Sequence, residues 1–183
     1  KVVDYKTGAV KCSMSSVFHG LQMQLVLYMA AAVNMERKKH PDKSVVPAGM
    51  LYYHVKDPVI RLEHETEESG LEEKLLNEYK CDGYVNQSTD VLQKLDSVFG
   101  ANGYLESGVK SACIPVSVTS CGDFAKGSKI MDGDQWDNVI SHTLDVAAGF
   151  GTEILEGNID IRPYRMGNET GCDYCGLRGI CGM

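Results

Sequence analysis

The stretch Met50-Leu51-Tyr52-Tyr53-His54-Val55 constrains the fold more than any other part of the chain. A strand with one face in water alternates apolar and polar residues; a nearly continuous apolar run reads as a strand covered on both faces. The sequence offers a helix to supply that cover just upstream. Between about Val17 and Arg37, Leu21, Leu25, Tyr28, Ala32 and Met35 recur at spacings of three and four. Ser13, Ser15 and Ser16 stand where its N-terminal N–H groups need a cap. Arg37, Lys38, Lys39 and His40 suit the negative end of the helix dipole, and Pro41 ends the helix. Before it, Lys1 to Lys6 reads as a first strand closed by Thr7-Gly8. With Val45 to Val55 as the second, the order strand, helix, strand is an α/β unit. The predicted fold is α/β, with a small mixed central sheet flanked by helices.

From Lys56 to about Gly108 the chain is more polar and reads as an insertion or arm. It carries an acidic run from Glu63 to Glu73, a helix starting near Leu71 and a short helix from Asp90 to Phe99. Ile114 to Val118 is a predicted strand, and Gly122 to Lys126 a turn. Asp134 to about Gly151 is predicted as an amphipathic helix with Trp136, Val139, Ile140, Thr143, Leu144, Ala147 and Phe150 on its core face. Residues 157 to 164 are extended, and 165–183 form a cysteine-bearing tail.

The formal charge of −7 argues against a protein that coats nucleic acid with a broad basic surface, but not against an acidic site that holds a divalent metal. The longest apolar run, Leu25 to Val33, is about half of the roughly 20 residues a membrane helix needs. The start reads as a strand rather than a secretory signal, so no membrane is expected and the predicted location is cytoplasmic. Opening directly on a strand, without Met, the chain also reads as a piece excised from a longer protein. Seven cysteines, an odd number in such a chain, suit a disulfide framework poorly. Cys12, Cys81, Cys113 and Cys121 are scattered and read as small buried hydrophobes.

Three groups of residues can carry chemistry. Asp4 and Lys6, two apart on a strand, point to the same face. The carboxylate can hold a metal, and the ammonium can stabilise charge on a phosphate. By composition roughly one chain of this size in two carries such a pair by chance, so alone it is no more than an exposed pair at a strand end. Gln24 and Tyr28, at i and i+4, share a helix face; both can bond a phosphate, or Tyr28 can simply be half buried. Cys172, Cys175 and Cys181 are spaced as few shuffled chains would space them, about one in a hundred. Thiols so close favour zinc or an iron–sulfur cluster, and either normally wants a fourth ligand.

Together these groups resemble the RecB-like branch of the PD-(D/E)XK nucleases. Asp4 and Lys6 match its (D/E)-x-K element, Gln24-x₃-Tyr28 its Q-x-x-x-Y motif, and the three cysteines the last three ligands of its four-cysteine cluster. Phe18-His19-Gly20-Leu21-Gln22, the segment Pro47 to Pro58, Asn158 to Tyr164 and Cys172-Asp173-Tyr174-Cys175 are similar to the AddB family, the cluster-bearing nuclease components of AddAB helicase–nucleases. The resemblance is weakest from about Glu63 to Tyr104.

It implies one restriction-endonuclease-like core spanning 1–183, truncated at its N-terminal side, with 56–108 as an insertion. It implies Mg²⁺ held by Asp4 and the Tyr5 main-chain carbonyl, on a central strand. It also implies a [4Fe-4S] cluster on Cys172, Cys175 and Cys181, DNA as substrate, and an AddA-like helicase partner in double-strand-break repair and recombination. A His, an acidic ligand and a first cysteine lie upstream in that family and are not in this sequence. Both sites are therefore expected to be incomplete and the piece inactive alone. Two alternatives stay open: a CRISPR adaptation nuclease, which shares these motifs, and a non-catalytic relative that binds DNA or acts as a scaffold.

Overall fold

A computed structural model describes residues 1–8, 10–55, 68–173 and 175–181. It divides into two compact units, Lys1–Ala147 and Ala148–Met183. In the first unit, strands β1 (Val2–Lys6), β2 (Gly49–His54), β3 (Asp82–Asn86) and β4 (Ile130–Met131) form a sheet in that order. β1 and β2 are parallel, β2 and β3 antiparallel, β3 and β4 parallel, which makes the sheet mixed, as predicted.

The apolar run in β2 is covered on both sides. Met50 and Tyr52 face a core built by Val17, by Leu25, Val26, Met29 and Val33, and by Trp136. Leu51 faces a second core of Val85, Leu92, Phe99, Ile114, Val116 and Val118. The stretch read as an insertion is partly structural. β3 lies between β2 and β4, and helix α4 (Thr89–Leu95) with the 3-10 turn Ser97–Phe99 fills the second core. The helix expected near Leu71 is α3 (Glu68–Glu78), and residues 63–67 of the acidic run lie outside the described residues.

The predicted helix from Val17 to Arg37 is two helices, α1 (Met14–Phe18) and α2 (Gln24–Lys39). Ser13 caps α1 through the Ser16 N–H. Gly20, at φ 77°, ends it: the Gly20 N–H bonds the Val17 carbonyl at 3.0 Å and the Leu21 N–H the Ser16 carbonyl at 2.8 Å. This pair of bonds is a glycine stop that periodicity alone does not reveal.

The segment 114–118 is not a ladder strand, although Ile114, Val116 and Val118 are buried alternately. Isolated bridges pair Lys110 with Ser117 and Val118 with Phe124. Ser111 Oγ takes the N–H groups of Cys113 and Ile114, and Pro115 has none to give. Helix α5 runs Gly133–Leu155. Trp136 and Thr143 are buried, while Leu144 and Phe150, predicted for its core face, are exposed.

In the second unit a hairpin pairs β5 (Arg165–Met166) with β6 (Glu169–Thr170), and a single turn, α6 (Arg178–Cys181), follows. The Asp173 carboxylate accepts the Thr170 N–H at 2.8 Å, and that bond first of all holds its carboxyl below the usual range.

Candidate functional site

Asp4 and Lys6 emerge from one face of β1, with side chains about a quarter exposed. β1 sits at the edge of the described sheet, not at its centre as expected. The N-terminal end of α2 packs over this face and brings Gln24 and Tyr28 to the pair. Lys6 Nζ donates to Gln24 Oε1 at 3.1 Å, and Gln24 Nε2 donates to Tyr28 Oη at 3.1 Å. A lysine only donates, so the oxygen side of the amide must face it, and Tyr28 receives the other end. Tyr28 is half exposed, so its ring presents a free face beside this chain of bonds.

Lys6 Nζ lies 2.7 Å from Asp4 Oδ2, yet that oxygen is shielded from solvent and makes no hydrogen bond. The contact is therefore an ion pair at close range without hydrogen-bond alignment. A shielded carboxylate oxygen with an unused lone pair is a donor suited to a hard divalent cation. It is one donor only. Among the described residues, no group of three or more His, Cys, Asp or Glu side chains is gathered closely enough to hold a metal ion.

Two features of the site escape sequence reasoning. First, Asp4, Tyr52 and Asp82 form one row across β1, β2 and β3. The Tyr52 ring, almost wholly buried, lies under the ammonium of Lys6 with 5.2 Å to its centroid. Its phenol is pushed up to about 12, by burial first and then by the charges of Cys12, Asp4 and Asp82. Second, Asp82 pins the loop that leaves β1. Its carboxylate accepts the Cys12 N–H at 2.6 Å and pairs with Lys129, which also donates to the Cys12 carbonyl at 3.3 Å. His54 Nε2 lies 2.7 Å from the Val10 carbonyl on the same loop. Such links join residues 44 to 117 positions apart, and no local pattern announces them.

The tail cysteines stand in the second unit. Cys172 is half buried, Cys175 and Cys181 are exposed, and all three are free thiols. The Cys175 N–H bonds the Cys172 carbonyl at 3.2 Å, which places these two on one turn. As soft donors they suit iron–sulfur chemistry, but this arrangement does not gather all three around one point. Tyr174, between them, lies outside the described residues.

The family model described as "PD-(D/E)XK nuclease superfamily" matches residues 1–182. Proteins named as the B subunit of an ATP-dependent helicase/deoxyribonuclease are similar along the whole chain. The one from Lachnoclostridium phytofermentans is 33% identical over 184 residues, covering 100% of this chain and 16% of that protein. Those from Thermoanaerobacter sp. and Alkaliphilus metalliredigens are 27% and 29% identical over 181 residues, covering 99% of this chain and 15% of each. The chain thus spans about a sixth of the length of these curated relatives. The AddB likeness read from the sequence is borne out. No helix among the described residues is long and apolar enough to cross a membrane.

Proposed function

This chain belongs to the PD-(D/E)XK nuclease superfamily, and we propose that it is a Mg²⁺-dependent deoxyribonuclease module of an AddB-type helicase–nuclease component. In that role it hydrolyses DNA phosphodiester bonds during double-strand-break repair and recombination, in the cytoplasm, beside an AddA-like helicase partner. The observation that carries the reading is the position of the Lys6 ammonium between the Asp4 carboxylate and the Gln24 carbonyl, at 2.7 and 3.1 Å.

Asp4 and the Tyr5 main-chain carbonyl would hold the metal, which would supply Lewis acidity at the phosphodiester. Two protein oxygens leave most of an octahedral shell to other ligands. Lys6 stabilises the charge that grows on the phosphate oxygens as the bond breaks, an electrostatic role that needs the ammonium held in place beforehand. Gln24 and the Tyr52 ring hold it there, and Tyr28 fixes the amide that faces it. Cys172, Cys175 and Cys181 would supply three of the four thiolates of a [4Fe-4S] cluster, the fourth coming from a distant cysteine.

The test is digestion of labelled linear DNA by the full-length protein in Mg²⁺. Lys6→Ala and Asp4→Asn should each lower cleavage by about 10²–10³, the size typical of removing one preorganised donor. Undiminished cleavage by Lys6→Ala would remove the assignment of the site.

A further inference from the structure

A cleft of about 740 Å³ opens beside the Asp4–Lys6 pair. Thr7 and Gly8, which line it, follow Lys6 directly, and His54, also on its wall, is the register partner of Lys6 in β2. The cleft therefore begins one residue beyond Lys6 along the chain. In a chain of net charge −7, its wall gathers Lys11, Lys80 and Lys129 against Glu78 and Asp82.

The lysines are not equivalent. Lys129 is occupied by Asp82 and the Cys12 carbonyl, so it holds the wall together. Lys80 donates to the Ser111 carbonyl at 2.7 Å, and its ammonium makes no ion pair among the described residues. Burial, and then the nearby Lys110, hold the pKa of Lys80 below the lysine range, a cost that an anion in the cleft would relieve. The main chain of Lys11 is held by Gln22 Nε2 at 3.1 Å, while its ammonium makes no ion pair among the described residues. The volume falls among clefts of roughly 300–1,000 Å³ that take small ligands.

We propose that this cleft seats the phosphodiester backbone of one nucleic-acid strand, on one side of the bond addressed by Asp4 and Lys6, with Lys80 and Lys11 as its phosphate contacts. The proposal rests on the nuclease reading of that pair and extends it by a second binding site. Residue-resolved lysine acylation separates the two. The full-length protein is acylated in EDTA with and without a single-stranded oligonucleotide, and each lysine is read by mass spectrometry. Lys39, at the opposite end of α2 from Gln24 and some 22 Å away along its axis, serves as the internal reference.

Protection of Lys6, Lys11 and Lys80 together, with Lys39 unchanged, is the expected result. Protection of Lys6 alone would overturn the cleft and leave the nuclease reading standing. Protection of Lys11 and Lys80 without Lys6 would support the cleft as a strand site and count against the reading of Asp4 and Lys6. No protection at any of the three would overturn both. In a second measurement, Lys11→Gln with Lys80→Gln should flatten the salt dependence of strand binding. Each lost phosphate contact lowers the slope of log K against log salt by about 0.7. A slope equal to that of the unaltered protein would refute the cleft even where overall affinity has fallen.

Discussion

Replacing Gln24 by Leu removes the acceptor of the Lys6 ammonium while keeping the size of the side chain. Lys6 then keeps the Asp4 carboxylate at 2.7 Å and the Tyr52 ring at 5.2 Å, and loses the 3.1 Å bond that draws it toward α2. A buried hydrogen bond to a charged group contributes about 1.5–3 kcal/mol. The Lys6 side chain is 25% exposed, so water replaces part of it, and about 1–1.5 kcal/mol is the better figure. If that energy holds Lys6 in its working position, cleavage falls about ten-fold, since about 1.4 kcal/mol is a factor of ten. Tyr28→Phe, which frees only the far end of the amide, should cost about two- to three-fold, the effect of a few tenths of a kcal/mol.

The decisive comparison is the double variant. If Gln24 acts through Lys6, then Gln24→Leu added to Lys6→Ala changes the residual rate by less than about two-fold, because the group it positions is already gone. The assay is single-turnover cleavage of end-labelled DNA by the full-length protein in Mg²⁺, with the four proteins side by side. Two effects that simply multiply would refute positioning and make Gln24 an independent contact to the strand.

Three other outcomes are expected. Gly83 sits at φ +149°, where an added Cβ would lie 2.1 Å from the Met50 carbonyl and 2.9 Å from Leu51 Cα, both main-chain atoms. Gly83→Ala should therefore destabilise by more than about 3 kcal/mol or prevent folding, and a urea midpoint like that of the unaltered protein would show that the sheet gives way easily. Stability should also fall in alkali: Cys12 is pushed up from about 9 to about 11, by burial first and then by Asp82, and Tyr52 from about 10 to about 12. The folded state keeps protons that the unfolded chain has lost, so this stability is whole below about pH 9 and drops by up to about 1.4 kcal/mol per unit and group as pH rises through 9–11 and 10–12. Urea midpoints at pH 8 and pH 10 read it, and Cys12→Ala should remove the earlier part of the fall; equal midpoints would contradict the shifts. Finally, full-length protein prepared without oxygen should carry iron and labile sulfide with brown absorbance, lost in Cys175→Ser; a colourless, iron-free preparation would refute the cluster.

The parts of the fold legible in the sequence are those set by short-range periodicity. Parity put Asp4 and Lys6 on one face, the i, i+4 spacing put Gln24 beside Tyr28, and the unbroken apolar run announced the doubly covered β2. β3 lies inside the polar stretch read as an insertion, and its Gly83 is explained only by the close approach of the Met50 carbonyl. Gly20 was absorbed into an apolar rhythm that continues across it, although its left-handed conformation stops α1. The Tyr52 floor and the Asp82–Lys129 clamp depend on strand register, which a single sequence does not carry. Leu144 and Phe150 share the helical phase of Trp136, but burial depends on how far a neighbour extends, and phase does not report that.

The clamp on the β1 loop also sets an order of events during synthesis. Lys129 reaches back 117 residues to the Cys12 carbonyl and pairs with Asp82. A ribosome-bound chain that ends before residue 129 can already hold Asp4 and Lys6 on β1 and tie the loop behind them through Asp82 and His54, but it lacks the Lys129 half of the clamp. Contacts this distant in sequence close late, because the intervening chain must first be ordered. The last tie on the loop beside the candidate site therefore closes only when β4 docks, after the side chains it helps to frame are already in place.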